Sequence, residues 1–341
     1  MKIFVTGGAG FVGSHVAEHF AEQDEVVVCD NLARATMLNK SSGDELFNWN
    51  YLKAFGKVTM VKADIRDIDV LGRAARDSDV IIHTAAQVAV TSSVLDPKTD
   101  FEVNLIGTFN VLETARLNDS AVVFCSTNKV YGNNVNSIPV DEQETRYVLA
   151  DHKFDLGVPE SFPIDHTGHS PYGSSKLAAD IYVQDYAYTY GLKTGVFRMS
   201  CIYGQRQFGV EDQGWLAWFA IANHTGKPIV IYGDGKQVRD VLYVTDLVRA
   251  FDSFLTSGIK HDVFNIGGGP ENTLSLLEVL RMLREMTDRN PKVSFTEWRP
   301  SDQKVYVSDI RKITHSLKWR PLIDTKEGVK RVVEWVQTMK F

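Results

Sequence analysis

The sequence predicts an α/β protein: a doubly wound parallel sheet followed by a smaller, mixed α/β domain. Two observations carry that prediction. Through the first 200 residues, six short β-branched runs (Ile3–Thr6, Val26–Asp30, Val58–Lys62, Val80–His83, Val122–Ser126 and Thr194–Arg198) alternate with stretches of helical apolar spacing. The intervals are too long for hairpins, so the strands run parallel and need helices on both faces. After about Gly204 the pattern changes to shorter strands, Gly-rich turns and two further helices.

The crossover helices are expected over Phe11–Ala21, Phe101–Leu117 and Tyr172–Tyr190, the last opening just after Ser170-Pro171. In the second part, helices are expected around Trp215–His224 and Leu274–Met286, with strands at Ile229–Tyr232 and Val263–Ile266. The Trp215-Leu216-Ala217-Trp218-Phe219 stripe reads as core in preference to pocket lining. No linker-like composition marks the junction, so the boundary between a first domain, 1–203, and a second, 204–341, is soft and interleaved.

Composition narrows the function. At 44% hydrophobic and 23% charged over 341 residues, the chain is an ordinary globular one, and its apolar runs fall short of the about 18 residues that span a bilayer. The formal charge of −6 is spread along the chain, which leaves no phosphate-tracking surface for nucleic acid. Cys29, Cys125 and Cys201 are odd in number and lack C-x-x-C spacing, which argues against a disulfide framework and a zinc site. They read as buried thiols of a cytoplasmic protein. Met1-Lys2-Ile3-Phe4-Val5-Thr6 reads as a first strand and not as an export signal. No metal site is expected.

Thr6-Gly7-Gly8-Ala9-Gly10-Phe11-Val12-Gly13 leaves a strand and enters a helix. In that setting a G-x-x-G-x-x-G turn marks a Rossmann-type dinucleotide site, because backbone without Cβ atoms approaches a pyrophosphate at a helix N-terminus. Asp30 closes the second strand 17 residues past Gly13, where a carboxylate accepts ribose hydroxyls and repels a 2′-phosphate, favouring NAD over NADP. Arg34 is either a solvated loop charge or a phosphate partner that complicates this choice. Asp64 fits two readings, an acceptor for the adenine amino group or a helix N-cap.

Tyr172 and Lys176 stand four residues apart at the start of a helix, hence on one face. Taken alone, Y-x-x-x-K is as consistent with a surface pair as with a phenolate base whose pKa a lysine lowers. Thr127 favours the base, since it follows the fifth strand, at whose carboxyl end ligands of an open α/β sheet bind. His83, His166 and His169 have no metal-ligand spacing.

Together these residues resemble the extended short-chain dehydrogenase/reductase superfamily, and within it the nucleotide-sugar epimerases and dehydratases. The resemblance spans the chain. It rests on the Gly7/Gly10/Gly13 turn, His83-Thr84-Ala85-Ala86-Gln87, Asn104 in Val-Asn-Leu-Ile-Gly-Thr, Thr127, Tyr172 and Lys176. Arg239-Asp240 before Tyr243-Val244-Thr245-Asp246, and the closing Ser308-Asp309 to Trp319-Arg320-Pro321 pattern, follow in the same order. The resemblance implies tightly bound NAD, lined by Gly7, Gly10, Phe11, Val12, Gly13, Asp30, Asn31, Asp64, Ile65, Ala85, Ala86, Gln87, Asn104, Tyr172 and Lys176, with Thr127, Tyr172 and Lys176 catalytic. It also implies a homodimer or homotetramer built through the Phe101–Leu117 and Tyr172–Tyr190 helices.

Departures from the family pattern sort the subclasses. Dehydratases carry Thr-Asp-Glu after the fifth strand, where this chain has Thr127-Asn128-Lys129. In the 4-epimerases a sixth-strand Asn binds the diphosphate, where this chain has Cys201. What remains resembles epimerases that invert C2 of a CDP-sugar, through segments such as Glu144-Thr145-Arg146-Tyr147, His169-Ser170-Pro171-Tyr172-Gly173 and Gly204-Gln205-Arg206-Gln207-Phe208. The resemblance implies a nucleotide-sugar partner touched by Asn128, His169, Cys201, Gln207, Arg239, Arg299 and Asp302. The forty residues between Tyr131 and Tyr172 are expected to form a lid or wall. Open alternatives are a UDP- or CDP-glucose 2-epimerase, a 4-epimerase, a net reductase using exchangeable NADPH, and a dinucleotide-sensing regulator.

Overall fold

β1 (Lys2–Thr6) is a run of apolar side chains because it pairs on both edges and is covered on both faces: Ile3, Phe4 and Val5 have no exposed surface. The computed structural model describes residues 1–34, 36, 46–299 and 302–341. Around β1, the strands β2 (Glu25–Asp30), β3 (Val58–Lys62), β4 (Val80–His83) and β5 (Ala121–Thr127) pair in parallel in the order β5-β4-β1-β2-β3. Strands Thr194–Met199 and His261–Ile266 continue the sheet beyond β5 to seven strands. The chain reverses its winding between β1 and β4, the switch point at which α/β sheets open a ligand crevice beyond their carboxyl ends.

Alternate strand residues Phe4, Val27, Cys29, Ile81, Val122 and Phe124 form one core cluster with Leu71, Val111, Leu112, Ala115, Ala179 and Val183 of the crossover helices. The period of two on strands meeting the three-to-four spacing on helices places these helices on one face. The expected helices are present as Phe11–Phe20, Gly107–Asn118 and Ser170–Tyr190. The middle one is preceded by a wider π-helical turn, Glu102–Ile106. A π-helical turn offsets the face of the helix that follows it, and such turns concentrate at functional sites.

The chain divides into two compact units, and the division differs from a single cut after residue 203. The first unit comprises Met1–Val130, Ser170–Arg198 and Val248–Phe264; the second comprises Tyr131–His169, Met199–Leu247 and Asn265–Phe341. The reason for the return of 248–264 is an edge. The Thr194–Met199 strand would otherwise present unpaired backbone groups, and this segment covers it. Thr194 N donates to Lys260 O (2.9 Å), Lys193 Nζ to Leu255 O (2.8 Å), and Phe197 packs against Phe251, Phe254 and Phe264.

In the second unit, strand Val238–Tyr243 pairs antiparallel with Thr273–Ser275 and parallel with both Cys201–Tyr203 and Val305–Tyr306. The 131–169 segment is part of this unit: it forms the Val140–Glu142/Tyr147–Leu149 hairpin, and Tyr131, without exposed surface, donates to Asn265 Oδ1 (2.6 Å). The Trp215–Thr225 helix buries Leu216, Ala217 and Phe219–Asn223, so three of the five stripe residues take the expected core role, while Trp215 and Trp218 are half-buried. Helices Val244–Thr256, Arg311–Leu317 and Thr325–Thr338 were not anticipated. Among the described residues, no helix is long and apolar enough to cross a membrane, and no group of acidic, His and Cys side chains is arranged to hold a metal ion.

A buried ion pair ties the first unit together near β5. Arg198 Nε and Nη2 donate to Asp180 Oδ2 and Oδ1 (3.0 and 3.1 Å), and Ser126 Oγ donates to Asp180 Oδ2 (2.6 Å). Removing one member leaves the other charge buried without its counter-ion, which costs about 3–5 kcal/mol. Asp180→Ala is therefore expected to lower unfolding stability by that amount, read from the urea midpoint at unchanged slope.

Candidate active site

Gly7 enters the turn after β1 with φ +69°, a conformation glycine takes without strain, and its N–H donates to Cys29 O (2.8 Å). A Cβ at Gly7 would lie 2.6 Å from Ala85 N, and one at Gly13 would lie 2.3 Å from Gly7 O. These contacts are with backbone, so neither neighbour has room to give. The Phe11–Phe20 helix starts at Gly10 with no side-chain cap, which leaves its first-turn donors, including those of Phe11 and Val12, to an anion. Crowded backbone, an uncapped helix start and a half-buried carboxylate just beyond fit a dinucleotide.

That carboxylate is Asp30, whose oxygens accept from Ala9 N (2.9 Å) and Leu32 N (2.7 Å) while burial raises its pKa. Asn31 Nδ2 donates to Asp64 Oδ2 (2.9 Å), bringing two predicted cofactor residues together. Asp64 is not the N-cap: Asp67 caps the Ile68–Ala74 helix by accepting from Val70 N (3.1 Å). Asp64 instead grips Arg66, whose hydrogen bonds bring its pKa down to about 2. Ile65 is buried against Gly107, where a Cβ would meet Ile65 Cδ1 at 2.5 Å. Arg34 is half-buried, and burial lowers its pKa.

Tyr172 and Lys176 lie on the first turns of the Ser170–Tyr190 helix, as their spacing predicts. Ser170, at φ +65°, begins that helix, and its Oγ accepts from Gly173 N (3.3 Å). Thr127 ends β5, and its hydroxyl is near enough to the Tyr172 phenol to favour the phenolate. Thr127 Oγ1 also accepts from Lys129 N (3.2 Å) and lies 3.4 Å from Oδ1 of buried Asn128. Lys176 is 3% exposed, with Nζ 4.1 Å from the centre of the Phe124 ring.

The electrostatics of the pair depart from the expectation that Lys176 lowers the Tyr172 pKa. Burial, helped by the Asp100 carboxylate and by Cys125 and opposed by Thr127, pushes Tyr172 up to about 12. Burial brings Lys176 down to about 8, opposed by Cys125, Asp180 and Asp100. Desolvation disfavours the charged form of each group and is the largest influence on both.

Behind them lies a buried hydrogen-bond network. Asn104, on the π-helical turn, donates through Nδ2 to Gln87 O (3.0 Å), Asp100 Oδ1 (3.0 Å) and Ser175 Oγ (3.2 Å), and accepts from Gln87 N (2.9 Å). It thus links the Ala85-Ala86-Gln87 segment after β4 to the Tyr172/Lys176 helix. His83 bridges Thr6 Oγ1 (2.7 Å) and Thr108 Oγ1 (3.0 Å), and burial, aided by the Lys176 charge, brings its pKa down to about 3. It is a neutral strut. Asp100 and Ser175 escaped sequence reasoning, since neither carries a local motif.

In the second unit, the structure brings two predicted substrate residues together: Arg239 Nη2 donates to Asp302 Oδ1 (2.7 Å), and Arg239 Nη1 donates to Gln303 O (2.7 Å). Arg299 pairs with Asp212 (2.8 Å) and lies 3.8 Å above the Tyr232 ring; Pro300 and Ser301 lie outside the described residues. Cys201 is half-buried beside Val241, its thiol pushed up to about 12 by burial. Gln207 is buried and donates to Ile202 O (3.2 Å). His169 Nδ1 lies 3.1 Å from Thr167 O, and exposed His166 is paired with Asp165.

Comparison with known proteins follows the same lines. The model of the NAD dependent epimerase/dehydratase family matches residues 3–267. The chain belongs to this family, and its cofactor is NAD. It is 40% identical to a CDP-paratose 2-epimerase of Salmonella typhi over 351 aligned positions, covering 99% of this chain and all of that one. Among solved structures, UDP-glucose 4-epimerase of Thermus thermophilus in complex with NAD superposes with a TM-score of 0.80 at 32% identity, covering both chains completely. UDP-glucose 4-epimerase of Thermotoga maritima with UDP-glucose gives 0.82 at 30%, covering 99% of each.

The turn makes a direct prediction. In Gly13→Ala the new methyl meets a backbone oxygen, so NAD released by heat from the purified protein is expected to fall at least about tenfold, the equivalent of about 1.4 kcal/mol.

Proposed function

We propose that the chain is an NAD-dependent isomerase that inverts C2 of a CDP-sugar, as in the conversion of CDP-paratose to CDP-tyvelose. The observation that carries this reading is the Thr127–Tyr172–Lys176 constellation at the carboxyl end of β5, in a chain that matches a CDP-paratose 2-epimerase from end to end. Asn128 and Lys129 stand where elimination of water would need an acid and a base. That leaves oxidation and reduction at one carbon.

When bound, NAD supplies a hydride acceptor that gives the same hydride back. Tyr172, as phenolate, takes the proton of the C2 hydroxyl, leaving a 2-keto sugar; after the sugar turns, it returns that proton to the oxygen of the opposite epimer. Thr127 donates a hydrogen bond to the reacting oxygens. Lys176 contributes positive charge and holds the nicotinamide ribose. Asp30 and Asn31 hold the adenosine ribose, and Asp64 and Ile65 the adenine. Gly7, Gly10, Phe11, Val12 and Gly13 take the pyrophosphate, and Ala85, Ala86, Gln87 and Asn104 line the nicotinamide end. Arg239 and Arg299 suit the substrate diphosphate, since a guanidinium fork matches phosphate oxygens; Asp302 suits the nucleotide ribose, and Asn128, His169, Cys201 and Gln207 the sugar.

We also infer a cytoplasmic homodimer, with a homotetramer as its extension. Supporting it, Phe101, Ile106, Phe109, Ile181 and Tyr182 are all exposed on the helices of residues 97–118 and 170–190, with Phe109 and Tyr182 edge to face at 6.4 Å. Phe109→Arg is expected to halve the mass read by light scattering behind a sizing column; an unchanged mass overturns this interface.

The reaction is tested by proton NMR in D₂O with CDP-paratose, CDP-glucose and UDP-glucose and no added cofactor. C2 inversion without solvent deuterium is expected. Inversion at C4 overturns the assignment, and no turnover returns the chain to a dinucleotide sensor. Tyr172→Phe is expected to lower kcat by about 10²–10⁴-fold while NAD still co-purifies. The rate of the NAD-loaded enzyme is expected to rise with pH as Tyr172 ionises, because the phenolate is the form that accepts the proton.

A further inference from the structure

The residue this chemistry leaves unused is Asp100. It is 1% exposed, at the end of the short Pro97–Phe101 helix, and no cation lies within bonding distance of it among the described residues. Its oxygens are gripped by neutral donors: Gln87 Nε2 (2.9 Å) and Asn104 Nδ2 (3.0 Å) on Oδ1, and Ser175 Oγ (2.5 Å) on Oδ2. Burial raises the pKa of this carboxyl, and the Ser175 and Gln87 hydrogen bonds and the Lys176 charge oppose that rise by favouring the carboxylate, which accepts only. Two of those donors belong to predicted cofactor residues. The third sits between Tyr172 and Lys176 on their helix, where Ser175 Oγ also lies 3.1 Å from Tyr172 O.

We propose that Asp100 is a positioning residue of the active site: its buried carboxylate locks the first turns of the Ser170–Tyr190 helix to Gln87 and Asn104, and supplies the fixed negative charge that Tyr172 and Lys176 face. Burying an anion without a direct counter-ion is costly, and a neutral side chain would pack the same space without that cost. What the charge does is felt at both reactive groups. It makes the phenol harder to ionise and the ammonium harder to deprotonate. The other groups facing Tyr172 are Thr127 and Cys125 of β5; those facing Lys176 are Cys125 and Phe124 of β5, Asp180 of its own helix and neutral His83 of β4. Asp100 is the acidic group common to both that comes from neither β5 nor the helix itself.

The titration can be read without substrate, so it does not depend on the proposed reaction. Phenolate absorbance of the NAD-loaded enzyme, minus that of Tyr172→Phe, gives the Tyr172 midpoint. In Asp100→Asn, which keeps the shape and loses the charge, the midpoint is expected to fall by about one pH unit, as for removal of a nearby like charge. An unmoved midpoint overturns the proposal. Asp100→Glu, which keeps the charge, is expected to titrate close to wild type, and a fall of about one pH unit in this variant overturns the electrostatic role even if Asp100→Asn fails to fold. Ser175→Ala keeps the charge and removes one tie; a fall as large as that of Asp100→Asn also overturns it. The pH optimum for C2 inversion is expected to move to lower pH with the phenolate midpoint. A wild-type enzyme inert towards CDP-sugars sinks the reaction while leaving the titration to stand.

Discussion

A lysine ammonium withdrawn from water beside the sheet is the constraint on which the first unit depends. Lys176 is almost wholly buried, and taking such a charge out of water costs several kcal/mol even after the protein relaxes. The surroundings offset that cost in layers. Phe124 offers its ring face at 4.1 Å, and Asp180 sits one turn along the same helix, itself held by Arg198 and Ser126. Asp100 adds a second carboxylate from another element. Every one of these partners is itself buried, so the charge is answered by fixed protein groups and not by solvent. The stability of the sheet's carboxyl end and the chemistry of the helix start are therefore set by the same residues.

Strand order explains why those residues lie together. With β1 between β2 and β4, the turn after β1 and the segment after β4 leave the sheet side by side, close enough that Gly7 has no room for a Cβ beside Ala85. His83 then bridges the two through hydroxyls, from Thr6 on β1 to Thr108 on the helix that follows the π-helical turn. Thr108 Oγ1 donates to Asn104 O (2.6 Å), and Asn104 reaches Ser175 on the next helix. A continuous run of neutral hydrogen bonds thus joins the cofactor turn to the catalytic helix. Neutral links suit this place, because another charge would shift Tyr172 and Lys176 directly.

What could be read from the sequence is what repeats locally. Apolar runs of period two located the strands, and a glycine turn between strand and helix located the cofactor end. The four-residue spacing of Tyr172 and Lys176 placed them on one helix face. The interleaving of the two units was not legible in detail, since the return of Val248–Phe264 to the sheet is dictated by the need to cover an edge, a property of the assembled sheet. Asp64 was ambiguous because Asp67, three residues on, satisfies the same cap signal, and only the Val70 hydrogen bond decides between them. Asp100 was invisible for a plainer reason. Its significance lies in donors 13 and 75 residues away in sequence, brought to it by three separate elements.

The direction of the Tyr172 shift bears on how the phenol becomes a base. In the protein alone, burial holds the phenol near 12 and the ammonium near 8, each pushed towards its neutral form. A phenol raised in this direction is protonated at pH 7 unless a neighbouring charge favours the phenolate. The carboxylate that makes Lys176 tolerable also works against the phenolate, since Asp100 acts on both groups. Thr127 is the one resident neighbour that pulls Tyr172 the other way. Positive charge brought to the phenol strengthens it as a base, and an oxidised dinucleotide would carry such a charge. Base strength is then coupled to the presence of the group that must take the hydride, and proton removal without an acceptor is suppressed by the same desolvation that the fold must bear to bury Lys176.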